Sequence, residues 1–234
     1  MGLFGGDRAF LDALTPFERG RLLSLGTPRA YTHDETVIRE NDRTAFVVLL
    51  MEGWATVSVS TERGRLILAL RGAGEMVGDI AAVDHGPRSA TVTALGPLTS
   101  RIVPADRFRS FLAANPHANM LVMRQLAARL RSSDGERRTL ASLTVLQRVA
   151  ARLAELAEHT GVPDRAGTRV ELPFPQHELA AAVGCTREAV AKALRLLREQ
   201  GVVRTGPRHL EVADADLLRL LGTGREPQGR PGAV

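Results

Sequence analysis

Hydrogen-bonding side chains of complementary types lie close together in one short stretch of the chain: Thr186, Arg187, Glu188 and Lys192. Thr186 is typical of a helix N-cap, because its hydroxyl can accept a bond from an N–H group that lacks a partner at a helix start. Arg187 then offers a planar pair of donors, and Glu188 offers acceptors. Base edges in the major groove of DNA present matching acceptors and donors. The stretch therefore indicates direct contact with a duplex.

Two apolar stripes are expected to position this helix start. Their members recur at helical spacing: Leu179, Ala182 and Val183 before it, and Val190, Leu194 and Leu197 after it. Gly184 stands between the stripes. Two short helices that face each other across such a turn form a helix-turn-helix, whose second helix enters the major groove. For this segment alone, the alternative is an ordinary helical hairpin with solvated charges.

A strand pair is predicted directly after the second helix. The short runs 202–204 and 210–212 flank Gly206, Pro207 and Arg208. A polar turn with Gly and Pro between two such runs is typical of a β-hairpin. In this place a hairpin forms the wing of a winged helix-turn-helix. The wing therefore favours the DNA-binding interpretation over the plain hairpin.

Composition limits the class of protein without choosing it. The chain has 234 residues, of which 31 are Lys or Arg and 26 are Asp or Glu, and its net charge of +5 suits a polyanionic partner. The single cysteine, Cys185, excludes a disulfide framework or a cysteine-ligated metal cluster within one chain, and it fits a reducing cytoplasm. No apolar run reaches the roughly 20 residues that cross a bilayer. We therefore expect a cytoplasmic protein with no membrane partner.

The first half of the chain is predicted to be a β domain. After a short helical opening between residues 10 and 23, residues 28–101 show period-two or short apolar runs broken by glycine. The runs predicted as strands are 36–38, 45–51, 54–60, 65–70, 90–95 and 99–103. Many short strands of this kind are typical of an antiparallel barrel or sandwich, of which the jelly roll is one form.

Beyond residue 104 the apolar period becomes helical, with a short helix over 106–112 and a long helix over 117–138. In the long helix, positions at alternating spacings of three and four form the seam of a two-stranded coiled coil. These positions are Met123, Leu126, Leu130, Ser133, Arg137 and Leu140. The seam predicts a homodimer. The alternative is that the stripe packs on the chain's own β domain.

The remaining segments complete the predicted domain organisation. A further amphipathic helix is expected over 143–159 and a loop over 160–167, and the Gly- and Pro-rich end over 222–234 is expected to be a disordered tail. The predicted domains are a β-roll sensor over 1–116, a dimerisation helix over 117–140, a DNA-binding domain over 141–221 and the tail over 222–234.

In this order of parts, the chain resembles the CRP/FNR family of bacterial transcription regulators over residues 10–221. The resemblance is carried by residues 183–190 (VGCTREAV), 74–80 (GEMVGDI) and 87–92 (PRSATV). It implies an α+β fold with an N-terminal antiparallel β jelly roll of the cyclic nucleotide-binding kind, a long dimerisation helix and a C-terminal winged helix-turn-helix. It also implies a homodimeric regulator that responds to a small effector and works with RNA polymerase.

The last two of these stretches correspond to the family's phosphate-binding cassette. Gly78 allows the backbone to approach an anion closely, Arg88 can give a forked contact to a phosphate, and Ser89 adds a hydroxyl. Asp79 stands where the family usually has a Glu that accepts a ribose hydroxyl. Because the Asp side chain is one methylene shorter, the identity of the ligand stays open.

On the long helix, the resemblance places Ser133 and Asp134 at positions that contact the purine. A carboxylate only accepts hydrogen bonds, so Asp134 suits an exocyclic amine or the adjacent donors of guanine. The predicted effector is a cyclic nucleotide, cyclic AMP first and a guanine nucleotide second, and no cofactor is required. A vestigial pocket in a regulator that binds DNA without a ligand is the alternative, which Asp79 and Asp134 support.

For DNA, the resemblance places Arg187, Glu188 and Lys192 at base-reading positions, where a good bidentate contact is worth roughly 1–3 kcal/mol of discrimination. Contacts to backbone phosphates, which orient a protein without specifying sequence, are expected from Gln176, His177, Thr186 and Arg208. The expected partner is a palindromic double-stranded site, similar to the family's TGTGA half-sites, with half-sites about 34 Å apart.

Other chemistries find little support in the residues. The chain contains no HxxxH-type metal motif, no GxxxxGKS phosphate loop and no GxSxG nucleophile elbow, so an enzyme is not predicted. Haem ligation by His33, His85 or His117 is disfavoured, because scattered histidines are usually exposed or core residues. No metal site is predicted.

Overall fold

Two antiparallel four-stranded sheets form from the alternating runs in the first half of the chain. The computed structural model describes residues 3–4, 8–62, 64–164, 167–171, 178–206 and 209–224. The chain divides into two units, Met1–Asp134 and Gly135–Val234. The first unit holds the two sheets, and the second holds the helix-turn-helix.

The first unit begins with two short helices, α1 (Phe10–Ala13) and α2 (Pro16–Ser24). Its strands are β1 (Thr27–Tyr31), β2 (Thr36–Ile38), β3 (Phe46–Glu52), β4 (Ala55–Thr61), β5 (Gly64–Arg71), β6 (Met76–Val77), β7 (Thr91–Ala94) and β8 (Leu98–Pro104). Three helices complete it: α3 (Asp79–Asp84), α4 (Ala105–Ala114) and α5 (Pro116–Ser142), the last of which continues into the second unit. The strand order is β1-β8-β3-β6 in one sheet and β2-β7-β4-β5 in the other.

Strand β3 is buried on both faces, which explains its almost continuous apolar run. Since side chains alternate along a strand, Val48 and Leu50 join a cluster with residues of the opposite sheet, such as Val92. Val47 and Leu49 join a second cluster with Phe108 and other helical residues. The sheets therefore enclose one core and carry the helices on a second one. This arrangement confirms the antiparallel β domain predicted from the sequence.

Helix α5 starts at Pro116 and runs for 27 residues. Val122 packs in the helical core of the first unit, and Leu126 lies partly buried against it. Met120, Met123 and Leu130 instead point to solvent, with exposures of 54, 59 and 67%. Leu126 therefore packs at least partly on the chain's own core, as the alternative interpretation expected, and the dimer seam stays a prediction. Arg137 and Leu140 of the predicted seam have side chains outside the described ones.

An ion pair fastens the start of α5 to α2. The carboxylate of Glu18 lies 2.9 Å from His117 Nδ1 and also accepts bonds from the backbone N–H and the hydroxyl of Thr15, both at 2.9 Å. Burial alone would raise the pKa of Glu18, but the bonds from His117 and Thr15 outweigh it and hold the pKa below its usual value of 4.5. The charged form of Glu18 is therefore favoured by folding.

This ion pair predicts a specific loss of stability in acid. A lowered folded-state pKa contributes stability that is present above the unfolded pKa and lost as pH falls through the folded value. We expect the free energy of unfolding to fall below about pH 4.5, and Glu18→Gln to flatten that fall. Urea unfolding of both proteins across this range measures the difference, with Asp12→Asn at an exposed ion pair as the control. If the free energy of unfolding falls equally steeply in acid for wild type and Glu18→Gln, Glu18 is not the source of the loss.

The second unit consists of four helices around one sheet. Its helices are α6 (Val145–Thr160), α7 (Leu179–Val183), α8 (Arg187–Glu199) and α9 (Ala215–Gly222). Its strands are β9 (Gly161–Asp164), β10 (Gly167–Glu171), β11 (Val203–Thr205) and β12 (His209–Val212), in the order β11-β12-β10-β9. Helix α6 is central, because it contacts α7, α8, α9 and β10. Its buried residues are Val149, Ala150, Leu153 and Leu156.

Two parts of the second unit correct the sequence analysis. The predicted loop 160–167 contains strand β9, in which Val162 pairs with Arg169 of β10. An edge strand is held by backbone hydrogen bonds, so it can lack the apolar alternation on which the prediction depended. The predicted tail also begins too early, since Gly222 is the last residue of α9. The rest of that tail, from residue 225, lies outside the described residues.

Among the described residues, no helix combines the length and the apolar character that a membrane crossing requires.

Candidate functional site

Within the cassette, Gly78 lies between β6 and α3. Its backbone is left-handed, with φ of 79°. A Cβ at this position would lie 2.6 Å from Arg88 Nη1 and 2.8 Å from Ile38 Cδ1. Both the φ angle and the close contacts require glycine here. Gly78 and Arg88, which are ten positions apart, are therefore packed against each other.

Arg88 is buried, with 2% of its surface exposed. Its Nε donates to Thr44 Oγ1 at 3.0 Å, its Nη1 to the Gly78 carbonyl at 2.9 Å and its Nη2 to the Phe46 carbonyl at 2.8 Å. The guanidinium also stacks 4.5 Å from the centroid of the Phe46 ring. Burial lowers the pKa of Arg88, against the charges of Asp42 and Asp79. These bonds use three of the five guanidinium N–H groups.

Asp79 is 1% exposed and is paired with Arg129 of α5. Arg129 Nη1 donates to both carboxylate oxygens at 2.8 Å, and Nη2 donates to the Met76 carbonyl at 3.3 Å. Arg129 was not among the predicted site residues. The sequence contained only an indirect indication of its role, since Arg129 lies one helical turn before the predicted ligand position Ser133. The carboxylate predicted to accept a ribose hydroxyl thus already accepts from a neighbouring helix.

A second buried ion pair lies at the start of the cassette. Arg71 Nε lies 3.5 Å from Glu75 Oε1, with side-chain exposures of 9 and 13%. The Gly72 N–H donates to the other carboxylate oxygen at 2.7 Å. Burial lowers the pKa of Arg71 and raises that of Glu75, while each partner's charge opposes the shift of the other. Both residues were absent from the predicted site. The turn into the cassette is therefore held by charge as well as by apolar packing.

The other predicted ligand residues are on the surface of the first unit. Ser89, Ser133 and Asp134 are all exposed. The structure therefore brings together Gly78, Asp79 and Arg88, adds Arg129 to them, and leaves the two hydroxyls and the second carboxylate open to solvent. Among the described residues there is no cluster of three or more His, Cys, Asp or Glu that could hold a metal ion.

The helix-turn-helix has the geometry that the sequence predicted. Gly184 ends α7 with a left-handed φ of 70°, and its N–H and that of Cys185 both donate to the Ala180 carbonyl, at 3.0 and 3.1 Å. Thr186 caps α8, since its hydroxyl accepts from the Ala189 N–H at 3.2 Å. Helix α8 then begins at Arg187. The turn residues thus fix where the first turn of the second helix starts.

The exposed tip of α8 carries the predicted base-reading residues. Arg187, Glu188 and Lys192 are exposed, while the opposite face of the helix is buried through Val190, Ala193, Leu194 and Leu197. The backbone N–H of Glu188 and the hydroxyl of Thr186 lower the pKa of Glu188. The carboxylate is therefore held in the acceptor form at neutral pH, beside the donors of Arg187. The buried face leaves this polar edge free to meet a duplex.

The predicted phosphate contacts are only partly described. Thr186 is exposed and caps α8, whereas Gln176, His177 and Arg208 lie outside the described residues. The wing itself is present: β11 and β12 pair, and the Gly206 N–H donates to the His209 carbonyl at 2.9 Å. Arg204 and Glu211 form an ion pair across it at 3.3 Å. The wing therefore stands as predicted, while its tip at Arg208 stays a prediction.

A β-roll unit, a long helix and a winged helix-turn-helix, in this order, define a class of DNA-binding regulators with an N-terminal β domain. Comparison with known proteins agrees with this class. Residues 28–115 match the cyclic nucleotide-binding domain, and residues 147–221 match the Crp-like helix-turn-helix domain. The chain belongs to the CRP/FNR family of transcription regulators.

Individual relatives cover most of the chain. The cyclic AMP receptor protein of Thermus thermophilus is 30% identical over 212 residues, which are 90% of this chain and 95% of that protein. The CRP-like cAMP-activated global transcriptional regulator of Mycobacterium tuberculosis is 28% identical over 192 residues, or 82 and 86% of the two chains. The fold of a CooA variant from Carboxydothermus hydrogenoformans matches with a TM-score of 0.80 at 21% identity, covering 94 and 98%.

Proposed function

We propose that this regulator is a homodimer whose binding to a palindromic DNA site is controlled by a purine cyclic nucleotide, cyclic AMP first and a guanine nucleotide second. The observation that carries the proposal is the bond from Arg129 on α5 to Asp79 in the buried cassette. It links the predicted ligand residues directly to the long helix. The names of the relatives from T. thermophilus and M. tuberculosis, which refer to cyclic AMP, support the nucleotide class.

In the proposed complex, the cyclic phosphate lies against Gly78, Arg88 and Ser89. Arg88 can use its remaining N–H groups or exchange the Gly78 carbonyl for a phosphate oxygen, which is the stronger acceptor because it is charged. The ribose hydroxyl donates to Asp79. Each carboxylate oxygen has two lone pairs, so Asp79 can accept from the ribose while it keeps Arg129.

The purine is proposed to meet Ser133 and Asp134 on α5. Both side chains are exposed, and both lie on the same helix as Arg129. Since Asp134 can only accept, it selects a donor edge: the exocyclic amine of adenine or the adjacent donors of guanine. Ser133 adds a hydroxyl that can donate or accept. Ligand contact on the cassette and on α5 at once would favour one arrangement of that helix over another.

The dimer is proposed to form along α5. Met120, Met123 and Leu130 are each more than half exposed, and their spacing of three and seven residues keeps them on one side of the helix. An apolar stripe of this spacing is the seam of a two-stranded coiled coil. Two copies of α8 then meet two half-sites on one face of the duplex. We place this action in the cytoplasm, with RNA polymerase as the partner and no catalytic turnover.

A ligand-independent regulator is the second candidate, and one observation favours it. Asp79 and Arg88 already bind Arg129, Gly78, Thr44 and Phe46. A site whose charges are paired internally gains less from a ligand, because each new bond replaces an existing one. In this case the DNA footprint would not respond to any nucleotide.

Calorimetric titration of the purified full chain with cyclic AMP and with cyclic GMP tests the proposal. We expect saturable heat with one nucleotide and weaker heat with the other, and a tighter complex with a palindromic duplex when the nucleotide is present. Asp134→Ser is expected to shift the preference toward cyclic AMP, because guanine loses a paired acceptor. Asp106→Ser, at an exposed position of α4, is the control. Absence of heat with both nucleotides would leave the ligand-independent regulator.

A further inference from the structure

Arg148 of α6 reaches the turn of the helix-turn-helix. Its Nη1 donates to the Val183 carbonyl at 3.3 Å and to the Gly184 carbonyl at 3.4 Å. Val183 is the last residue of α7, and Gly184 is its C-cap. The last carbonyls of a helix have no partner within the helix, and a positive charge near them is favourable. Arg148 therefore supplies donors where α7 needs them.

These carbonyls lie next to the start of α8. Only Cys185 separates Gly184 from Thr186, the N-cap of α8. Helix α7 is only five residues long, so its own hydrogen bonds hold this end weakly. The buried face of α8 fixes the side of the helix that packs inward. The turn sets the position of the first residues of α8, Arg187 and Glu188, along the axis of that helix.

The charge of Arg148 acts on the turn, and its Nε is left without a partner in the part of the chain that the structure describes. The guanidinium lowers the pKa of Cys185 in opposition to burial, which raises it and is the larger effect. In addition, Arg148 Nε is buried without a hydrogen-bond partner among the described residues. A buried N–H group without a partner costs stability. The directed bonds of Arg148 go to the turn, through its Nη1.

We propose that Arg148 is a positioning residue for DNA recognition: by binding the Val183 and Gly184 carbonyls, it sets the place of the α8 tip and thereby the discrimination between DNA sequences. The inference uses the DNA binding of the winged helix-turn-helix and is independent of the effector. Base contacts require the tip within hydrogen-bond reach of base edges. Phosphate contacts carry most non-specific binding and tolerate displacement better.

The test compares Arg148→Met, which keeps the aliphatic length but loses all donors, with Arg148→Lys, which keeps the charge. Arg219→Met is the matched control. Arg219 lies on α9 and bonds Glu158 and Asp216 at 2.8 and 3.0 Å, so its replacement likewise removes a guanidinium that holds contacts within the second unit. Fluorescence anisotropy measures binding to two duplexes: the one that the wild-type protein selects from a randomised pool, and a random-sequence duplex. Thermal unfolding of each variant is measured alongside.

We expect Arg148→Met to bind the selected duplex about tenfold more weakly, which is 1.4 kcal/mol, with less than threefold change on the random duplex. Arg148→Lys should fall between this variant and the wild type, and Arg219→Met should keep the wild-type ratio. Two outcomes would overturn the proposal. In the first, Arg148→Met leaves the ratio of the affinities for the selected and the random duplex unchanged. In the second, it weakens binding to both duplexes equally, and Arg219→Met does the same. If Arg148→Met does not fold, the same ratio of affinities for the two duplexes, measured on Arg148→Lys, tests the proposal.

Discussion

Replacing Arg187 by alanine is expected to remove most of the sequence discrimination of this regulator. Each good bidentate contact to a base pair is worth roughly 1–3 kcal/mol. Because the proposed homodimer presents the side chain once to each half-site, the expected loss is about 2–6 kcal/mol per dimer, which is about thirtyfold or more in affinity for the selected duplex. Binding to a random duplex should weaken only a few-fold, by the loss of one exposed charge per protomer.

The expectation follows from the geometry of the tip. Arg187 is the first residue of α8, it is exposed, and the Thr186 cap and the Gly184 turn fix its backbone. Glu188 beside it keeps its charge, so the pair presents a donor fork and an acceptor together. A flexible, unsupported arginine would lose more conformational entropy on binding and would discriminate less.

The matched control is Arg195→Ala. Arg195 lies on the same helix two turns further on, its side chain is 63% exposed, and it carries the same charge. It lies away from the tip, so its loss should weaken specific and random duplexes alike. Binding of both duplexes as a function of salt separates the two effects. The Arg187 assignment is wrong if Arg187→Ala and Arg195→Ala change the ratio of the two affinities to the same extent.

Much of this fold follows from patterns that are local in sequence. Strand β3 was predicted because it is a short apolar run, and α8 was predicted because its cap and stripe lie within a few residues of each other. Strand β9 and helix α9 were not predicted. The former is held by pairing with β10, and no sequence pattern was assigned to the latter. Leu126 shows a further limit, since periodicity indicates a stripe but not which partner covers it.

In the candidate site, too, residues in short local stretches were predicted and their distant partners were not. Gly78, Asp79 and Arg88 were found because they lie in short stretches that resemble a known cassette. Their partners are distant: Arg129 lies 50 positions from Asp79, and Phe46 lies 42 positions from Arg88. Pairs across such separations depend on how the sheets and α5 pack, which no short stretch encodes. Residues predicted to face a ligand are consequently found to support the fold as well.

Asp79 and Arg88 hold the cassette together and are also proposed to bind the ligand, and this limits which ligands can bind. A charge that is buried and paired is costly to leave without its partner. Any effector that draws Asp79 or Arg88 from its present bonds must replace them with bonds of similar strength. A charged ligand whose acceptors and donors fit the cassette can then bind. Neutral molecules that offer fewer hydrogen bonds bind less well. Selectivity for an anionic nucleotide would thus follow from the internal pairing itself.

The pairing predicts a large loss of stability when one member is removed. Breaking a buried ion pair by truncating one partner costs about 3–5 kcal/mol when both charges are buried. Asp79 is 1% exposed, while the side chain of Arg129 is 25% exposed and keeps partial hydration. We therefore expect Arg129→Ala, which strands the buried carboxylate, to destabilise the first unit by about 3 kcal/mol. Asp79→Ala should cost somewhat less.

A double-mutant cycle tests this expectation, since neighbouring charges couple by roughly 0.5–3 kcal/mol. The double variant Asp79→Ala, Arg129→Ala should be more stable than the sum of the single losses predicts, because no unpaired charge remains. Urea unfolding can follow the first unit alone through Trp54, the only tryptophan of the chain. Arg19→Ala, at an exposed ion pair with Asp12, should change stability by less than about 0.5 kcal/mol. Additive losses in the cycle would mean that Asp79 and Arg129 do not stabilise each other, and the link between the cassette and α5 would then lose its energetic basis.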